Sequence, residues 1–250
     1  MCNILQIGNH IFQAEAIIPM LATYGLMPQV LRESIIDQAI ASINCTPDEI
    51  QQAIQTYYQH RQLTSEAQRH AWQAQYGLKQ EQLIHLATRQ LRLEKFKRET
   101  WGHTLKSYFL KRKHQLDQVI YALLRTQDPY LIYELHFRLQ AGESSFSDLA
   151  REYSEGPESA TGGLLGPVEL GSLHPKLAAL LGTRQVRQLG PPLPFGEWHV
   201  LVRVEKCIPA RFDEAMRERL LQEQFETWLR QQIDQLSQQD KQLIGLSAGA

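Results

Sequence analysis

The chain has 250 residues, 43% of them apolar and 21% charged, which is the composition of a folded globule and not of a disordered tail. A formal net charge of −1 and a pI of about 6.8 leave no basic footprint for a nucleic-acid partner, and no apolar run approaches the roughly 20 residues needed to cross a bilayer. Three cysteines without a C-x-x-C pair and nine histidines without ligand spacing argue against a disulfide framework and against a zinc site.

The first residues, MCNILQIGNHIFQAEAII, carry no basic leader and have polar residues inside the apolar stretch, so no signal peptide is expected and the cytoplasm is the expected compartment. ILQIGNHIF reads as two short extended pieces around a Gly8-Asn9 turn. VLRESIIDQAIASI (30–43) places Val30, Leu31, Ile35, Ile36, Ala39, Ile40 and Ile43 at helical spacing. Thr46-Pro47-Asp48-Glu49 has the form of a capping box that starts the next helix. A third helix is expected over 65–76 with Gly77 closing it, and a fourth from about Lys79 toward Lys113. The charges of KFKRE (95–99) and KRKH (111–114) then read as a solvated helix face.

Past Gln115 the pattern changes. QVIYALLRT (118–126) is strand-like, and Asp128-Pro129 opens a helix that Gly142 closes. Ser145 starts another through Tyr153. Eight of the fifteen glycines and six of the eleven prolines fall between 151 and 206, so this stretch is compact and rich in turns. Within it a strand is expected from Leu164, a short helix over Pro175–Leu181, an edge strand at RQVRQL (184–189) and the strongest strand signal at WHVLVRVE (198–205). FDEAMRERLLQEQFETWLRQQIDQL (212–236) is again helical, with Met216, Leu220, Leu221, Phe225, Trp228, Leu229 and Ile233 as one apolar stripe. That stripe needs a partner surface, and the N-terminal helices are the simplest one. The last residues, LIGLSAGA, are expected to fray.

No phosphate loop, G-x-S-x-G or H-E-x-x-H is present, and Gly162-Gly163-x-x-Gly166 precedes a strand and opens no helix. The informative segment is FSDLAREYSEGPESATGGLLG (146–166): a short helix burying Phe146, Leu149 and Ala150, a polar turn, then a glycine pair that lets a strand start close to its neighbours. In order and spacing this resembles the signature of parvulin-type peptidyl-prolyl isomerases, and the likeness extends over about 119–206. LRESIIDQAI (31–40) and LLQEQFETWLRQQ (220–232) are similar to the first and last core helices of SurA-type and PrsA-type chaperone-isomerases; without an export signal the chain resembles a cytoplasmic, cyanobacterial-type variant. The fold this implies is α+β: a mostly helical chaperone-like domain at 1–115, a small parvulin-like domain at 116–208 with a four-stranded antiparallel sheet flanked by helices, and a C-terminal helix, 209–250, packing back on the first.

The resemblance also implies a site. Leu165, Leu173 and Leu177 match the positions that cradle the proline ring. The family's first-strand histidine falls at Tyr121. Its Cys/Asp position falls at Gly156 or, at a shift, at Glu155 or Glu158. Its last-strand histidine falls at Val200, leaving His199 one residue out of register and in need of a bulge to face the site. Tyr121, Glu155 and His199 are the expected polar groups, and no cofactor is implied. The expected activity is cis–trans isomerisation of X-Pro bonds in unfolded or extended client polypeptides, with a secretion apparatus or its cargo as a further candidate partner. The competing reading is a non-catalytic chaperone or adaptor that uses the parvulin module to bind peptide.

Overall fold

A computed structural model describes residues 4–7, 10–183 and 185–236. The chain divides into two compact units: residues up to Leu105 together with those from Arg217 onward, and Lys106–Met216. The second is wider at both ends than the 116–208 read from the sequence.

In the first unit, β1 (Ile4–Ile7) and β2 (His10–Gln13) pair antiparallel; the expected Gly8-Asn9 turn lies outside the described residues. A helix α1 (Ala14–Thr23) follows that the sequence reading did not anticipate, because Pro19 sits inside it and proline ordinarily marks a helix end. Then come α2 (Met27–Ile40), α3 (Pro47–His60) and α4 (Glu66–Gln75). The capping box forms as its spacing dictates: the Glu49 amide donates to Thr46 Oγ1 at 3.3 Å and the Thr46 amide donates to Glu49 Oε2 at 2.8 Å. Ser65 caps α4 in the same way. The long helix expected from Lys79 toward Lys113 is instead two, α5 (Gln80–Trp101) and α6 (Leu105–Leu116). Gly102 lacks helix propensity, and Thr104 donates its hydroxyl back to the Trp101 carbonyl at 3.1 Å, so the chain turns there.

The last helix, α10, spans Glu214–Asp234. Its Phe225 and Leu229 complete a core with Ile36, Ile40 and Leu93, around which Phe96, Trp101 and Trp228 pack. Arg32 clasps Glu226 through two hydrogen bonds of 2.8 and 3.1 Å. Lys97 is buried against the Phe225 ring, with its ammonium satisfied by Glu94 and Gln222. The expected fraying of LIGLSAGA lies outside the described residues. None of the described helices is long and apolar enough to cross a membrane.

In the second unit, β3 (Gln118–Thr126), α7 (Pro129–Gln140), α8 (Phe146–Tyr153), β4 (Leu164–Glu169), α9 (Pro175–Thr183), β5 (Leu193–Phe195) and β6 (Trp198–Ile208) follow one another, and the four strands form one antiparallel sheet in the order β4-β3-β6-β5. Asp128 caps α7 by accepting from the amides of Tyr130 and Leu131, and Ser145 caps α8. The edge strand expected at 184–189 is replaced by Leu193–Phe195. Among residues 185–189, Arg187 takes a φ of +66°, a left-handed conformation that breaks a strand, and the segment's backbone meets β6 only through the Arg187 amide, which donates to the Val204 carbonyl at 2.6 Å, and an isolated bridge of Leu189 to Arg203.

The sheet separates two apolar layers. Ala122, Leu124 and Leu201 pack on one side with Ile132, Leu135, Phe146, Leu149 and Ala150 of α7 and α8. On the other side Tyr121, Val200, Val202 and Val204 pack with Leu170 and Leu181, and Leu123, Leu165, Leu173, Leu177, Leu193, Phe195 and Trp198 surround them. This second layer holds the cavity.

Candidate functional site

Strand alternation decides which residues face the cavity. Successive residues of a strand point to opposite faces, and directly paired residues of antiparallel neighbours share a face. Arg125 pairs with Val200, Leu123 with Val202 and Tyr121 with Val204, while Leu193 and Phe195 pair with Val200 and Trp198. Together with α9 these residues enclose a cavity of about 180 Å³ lined by Leu123, Arg125, His174, Leu177, Phe195, Trp198 and Val200. His174 meets the Phe195 ring edge-on at 4.9 Å between centroids. A shallower depression of about 430 Å³ adjoins it, sharing His174, Phe195 and Trp198 and adding Lys176, Gly196 and Glu197. The inner cavity is well below the ~300–1,000 Å³ typical of small-molecule sites, so it has room for one side chain and little else.

The expected apolar set is brought together in part. Leu165, Leu173 and Leu177 all belong to the layer around the cavity. Leu177 lines it, whereas Leu165 pairs with Tyr121 on β3 and Leu173 packs against the same layer without lining the cavity. Tyr121 is 5% exposed and lies on the cavity face; burial, and after it the nearby Glu158 carboxylate, push its phenol above the usual tyrosine range.

Two of the expected polar residues are elsewhere. His199 pairs with Thr126, so its side chain belongs to the face of Leu124 and Leu201, away from the cavity. The register is unbroken over Trp198–Val204; the irregularity falls opposite Ile120/Tyr121. No bulge re-aims His199. Glu155 is spent on local structure: its carboxylate accepts from the Thr126 hydroxyl and from the Gln127 amide at 3.0 Å. Those bonds, the hydroxyl first, hold its pKa below the usual carboxylate value.

The carboxylate that does face this side is Glu158, 3% exposed. Its Oε1 accepts from Ser154 Oγ at 2.6 Å, and its Oε2 accepts from Arg125 Nη2 at 3.1 Å. The Arg125 guanidinium also lies over the Trp198 ring, 5.3 Å from its centroid. Arg125, His174, Phe195 and Trp198 were not singled out in the sequence. The available signal was the period-2 pattern: with Val200 on the inner face, Trp198 is inner as well, and Leu123 carries Arg125 with it. Among the described residues no group of three or more His, Cys, Asp or Glu side chains comes together that could hold a metal ion.

Residues 129–206 match the model of the Rotamase family, described as a PPIC-type PPIASE domain. The Chaperone SurA of Bordetella pertussis (strain Tohama I) is 36% identical over 108 residues, covering 39% of this chain and 21% of that protein. The putative peptidyl-prolyl cis-trans isomerase NifM of Azotobacter chroococcum is 33% identical over 124 residues, covering 45% and 40%. A crystal structure of the peptidylprolyl isomerase PrsA from Bacillus cereus aligns with a TM-score of 0.46 at 19% identity, over 96% of this chain and 88% of that one. The chain carries a PPIC-type, parvulin-like domain, and it spans about a fifth of the length of the SurA proteins first matched.

Proposed function

We propose that the chain is a peptidyl-prolyl cis-trans isomerase acting on X-Pro bonds in unfolded segments of client polypeptides, with its helical unit holding the client. The observation that carries this reading is the side-chain-sized apolar cavity inside a domain that matches the PPIC-type family. In this reading the pyrrolidine ring enters between Leu177, Phe195 and Trp198, over Leu123 and Val200. Leu165, Leu173 and Tyr121 support the layer behind it, and the residues flanking proline lie along the outer depression beside Lys176 and Glu197. Rotation about an X-Pro bond crosses a barrier of ~20 kcal/mol and takes tens of seconds unaided. No bond breaks, so neither a nucleophile nor a metal is required. The catalyst has to hold the ring, exclude water and favour the twisted amide over the planar one.

The test is two-dimensional exchange NMR on a panel of X-Pro peptides with the full chain, wild type beside Leu177→Asp. The expected result is enhanced cis–trans exchange that the substitution abolishes, because a carboxylate in the cavity opposes entry of an apolar ring. A second reading has its own observation: neither Glu155 nor His199 reaches the cavity. If the wild type shifts the peptide signals without speeding exchange, the domain is a peptide-binding unit and the isomerase reading is wrong.

A further inference from the structure

With Glu155 and His199 outside the cavity, the permanently charged residue in its lining is Arg125, and three observations make this residue more than a wall. The guanidinium is fixed on two sides, by the buried Glu158 carboxylate at 3.1 Å and by the Trp198 ring at 5.3 Å. Glu158 is itself held by Ser154, whose hydroxyl also accepts from the Arg125 amide at 3.1 Å. Yet the Arg125 Nε is buried and donates to nothing. A buried charged donor without an acceptor is costly and rare, so stability alone does not account for the guanidinium being held here.

The third observation concerns Gly156. A Cβ built there would stand 2.1 Å from both Nε and Nη2 of Arg125 and 2.3 Å from Glu158 Oε2. The space that a side chain at 156 would take is occupied by the guanidinium, delivered from β3 instead. Gly156 is thus required by Arg125, for room and not for backbone freedom, its φ being −109°.

We infer that Arg125 is the catalytic hydrogen-bond donor of the isomerisation, positioned by Glu158 and acting on the prolyl nitrogen of the bound X-Pro bond. This rests on the isomerase reading above. In a planar amide the nitrogen lone pair is delocalised onto the carbonyl oxygen; as the bond twists the pair returns to nitrogen and the oxygen loses negative charge. A donor at the oxygen would stabilise the planar ground state and slow rotation. A donor at the nitrogen finds its acceptor only in the twisted state, which is the differential binding that lowers a barrier. A ring seated in this cavity carries its nitrogen to the wall that Arg125 forms. The guanidinium is permanently charged and has five N–H groups in a rigid plane, so one binds Glu158 while another serves the substrate. No proton moves and no bond is made or broken.

The experiment measures the exchange rate of a saturating X-Pro peptide on the full chain, together with its Kd, for the wild type, Arg125→Gln and Glu158→Gln. Loss of a preorganised donor ordinarily costs about 100-fold or more. Arg125→Gln is therefore expected to lower on-protein exchange by about that factor while Kd changes less than about threefold. Glu158→Gln, which keeps a partner for Ser154 but releases the guanidinium, lowers exchange by a smaller factor. Because Arg125→Gln strands a buried carboxylate, the double variant Arg125→Met/Glu158→Gln, which removes both charges, is read in its place if the single one does not fold. If the wild type catalyses and Arg125→Gln stays within threefold of it, the inference falls and the isomerase reading stands. The inference also falls if Arg125→Gln raises Kd and leaves exchange at saturation unchanged, for Arg125 is then a binding wall. A wild type that binds without catalysing overturns both.

Discussion

The turn at Gly162-Gly163 sets β4 against β3 and so shapes the cavity layer, and substitution there separates backbone strain from steric overlap. Gly142, Gly162 and Gly163 all have left-handed φ, of +72°, +63° and +80°. Alanine at such a position costs ~1–2 kcal/mol in strain and recovers ~0.4–1 kcal/mol by restricting the unfolded chain. At Gly142 a Cβ meets nothing within 4 Å, so Gly142→Ala is expected to lose ~0–1.6 kcal/mol, net strain alone remaining. At Gly162 the nearest atom is Ser147 Oγ at 2.2 Å, the tip of a side chain that can rotate away. At Gly163 the Cβ meets the Leu123 carbonyl oxygen at 2.7 Å, Ala150 Cβ at 3.0 Å and Phe146 Cε1 at 3.1 Å. That oxygen belongs to the central strand and cannot withdraw, and Ala150 and Phe146 are core residues of the opposite layer. Overpacking of a tight core adds ~1–3 kcal/mol, so Gly163→Ala is expected to cost ~1–4.6 kcal/mol in all. Urea unfolding followed through the amide NMR signals of Leu123 and Leu201 reports on this unit and not on the other. The expected order of midpoints is wild type, Gly142→Ala, Gly162→Ala, Gly163→Ala. Equal midpoints for the Gly142 and Gly163 variants would refute the overlap argument.

Other outcomes follow from the same packing. Phe225→Ala removes a ring that is 1% exposed and stacked 5.8 Å from Trp228; a loss of ~3–5 kcal/mol is expected in thermal unfolding of the first unit. His199→Ala leaves peptide exchange within about twofold of wild type, a change well short of the 100-fold that an oriented polar group commands, because its side chain faces away from the cavity; a larger loss in the exchange assay would mean the register is wrong. Glu155 ionises more easily in the folded state than at its ordinary value of 4.5, so its contribution to stability is fully present above that pH and is lost as pH falls through the lowered folded value. Glu155→Gln should therefore flatten the acid limb of the stability curve below about pH 4.5 without altering exchange, as measured by urea midpoints across pH.

The capping box at Thr46, the helix from Ser65, the Asp128-Pro129 start of α7, the Ser145 start of α8 and the strands at 118–126 and 198–205 were legible because each rests on bonds or alternation within a few residues. So was the apolar stripe of α10, and with it the need for a partner surface. Helix α1 and the break at Gly102 were missed for a related reason: Pro19 and Gly102 are weighed locally, but whether a helix runs through them depends on what packs around it. The edge strand went to Leu193–Phe195 because the positive φ of Arg187 turns the preceding segment out of extension.

Local chemistry, then, was the sequence's to determine: the helices with clear caps and the strands with clear alternation, which residues are apolar enough to line a cavity, and that the glycine pair lets two strands approach. Only the tertiary structure decided which face each strand residue takes. A single residue of register separates His199 from Val200, and that register is set by pairing with β3, more than seventy positions away. Nor does any local pattern show that a guanidinium from Arg125 fills the space left by Gly156 and is pinned there by Glu158, since those three residues meet only when the sheet has formed.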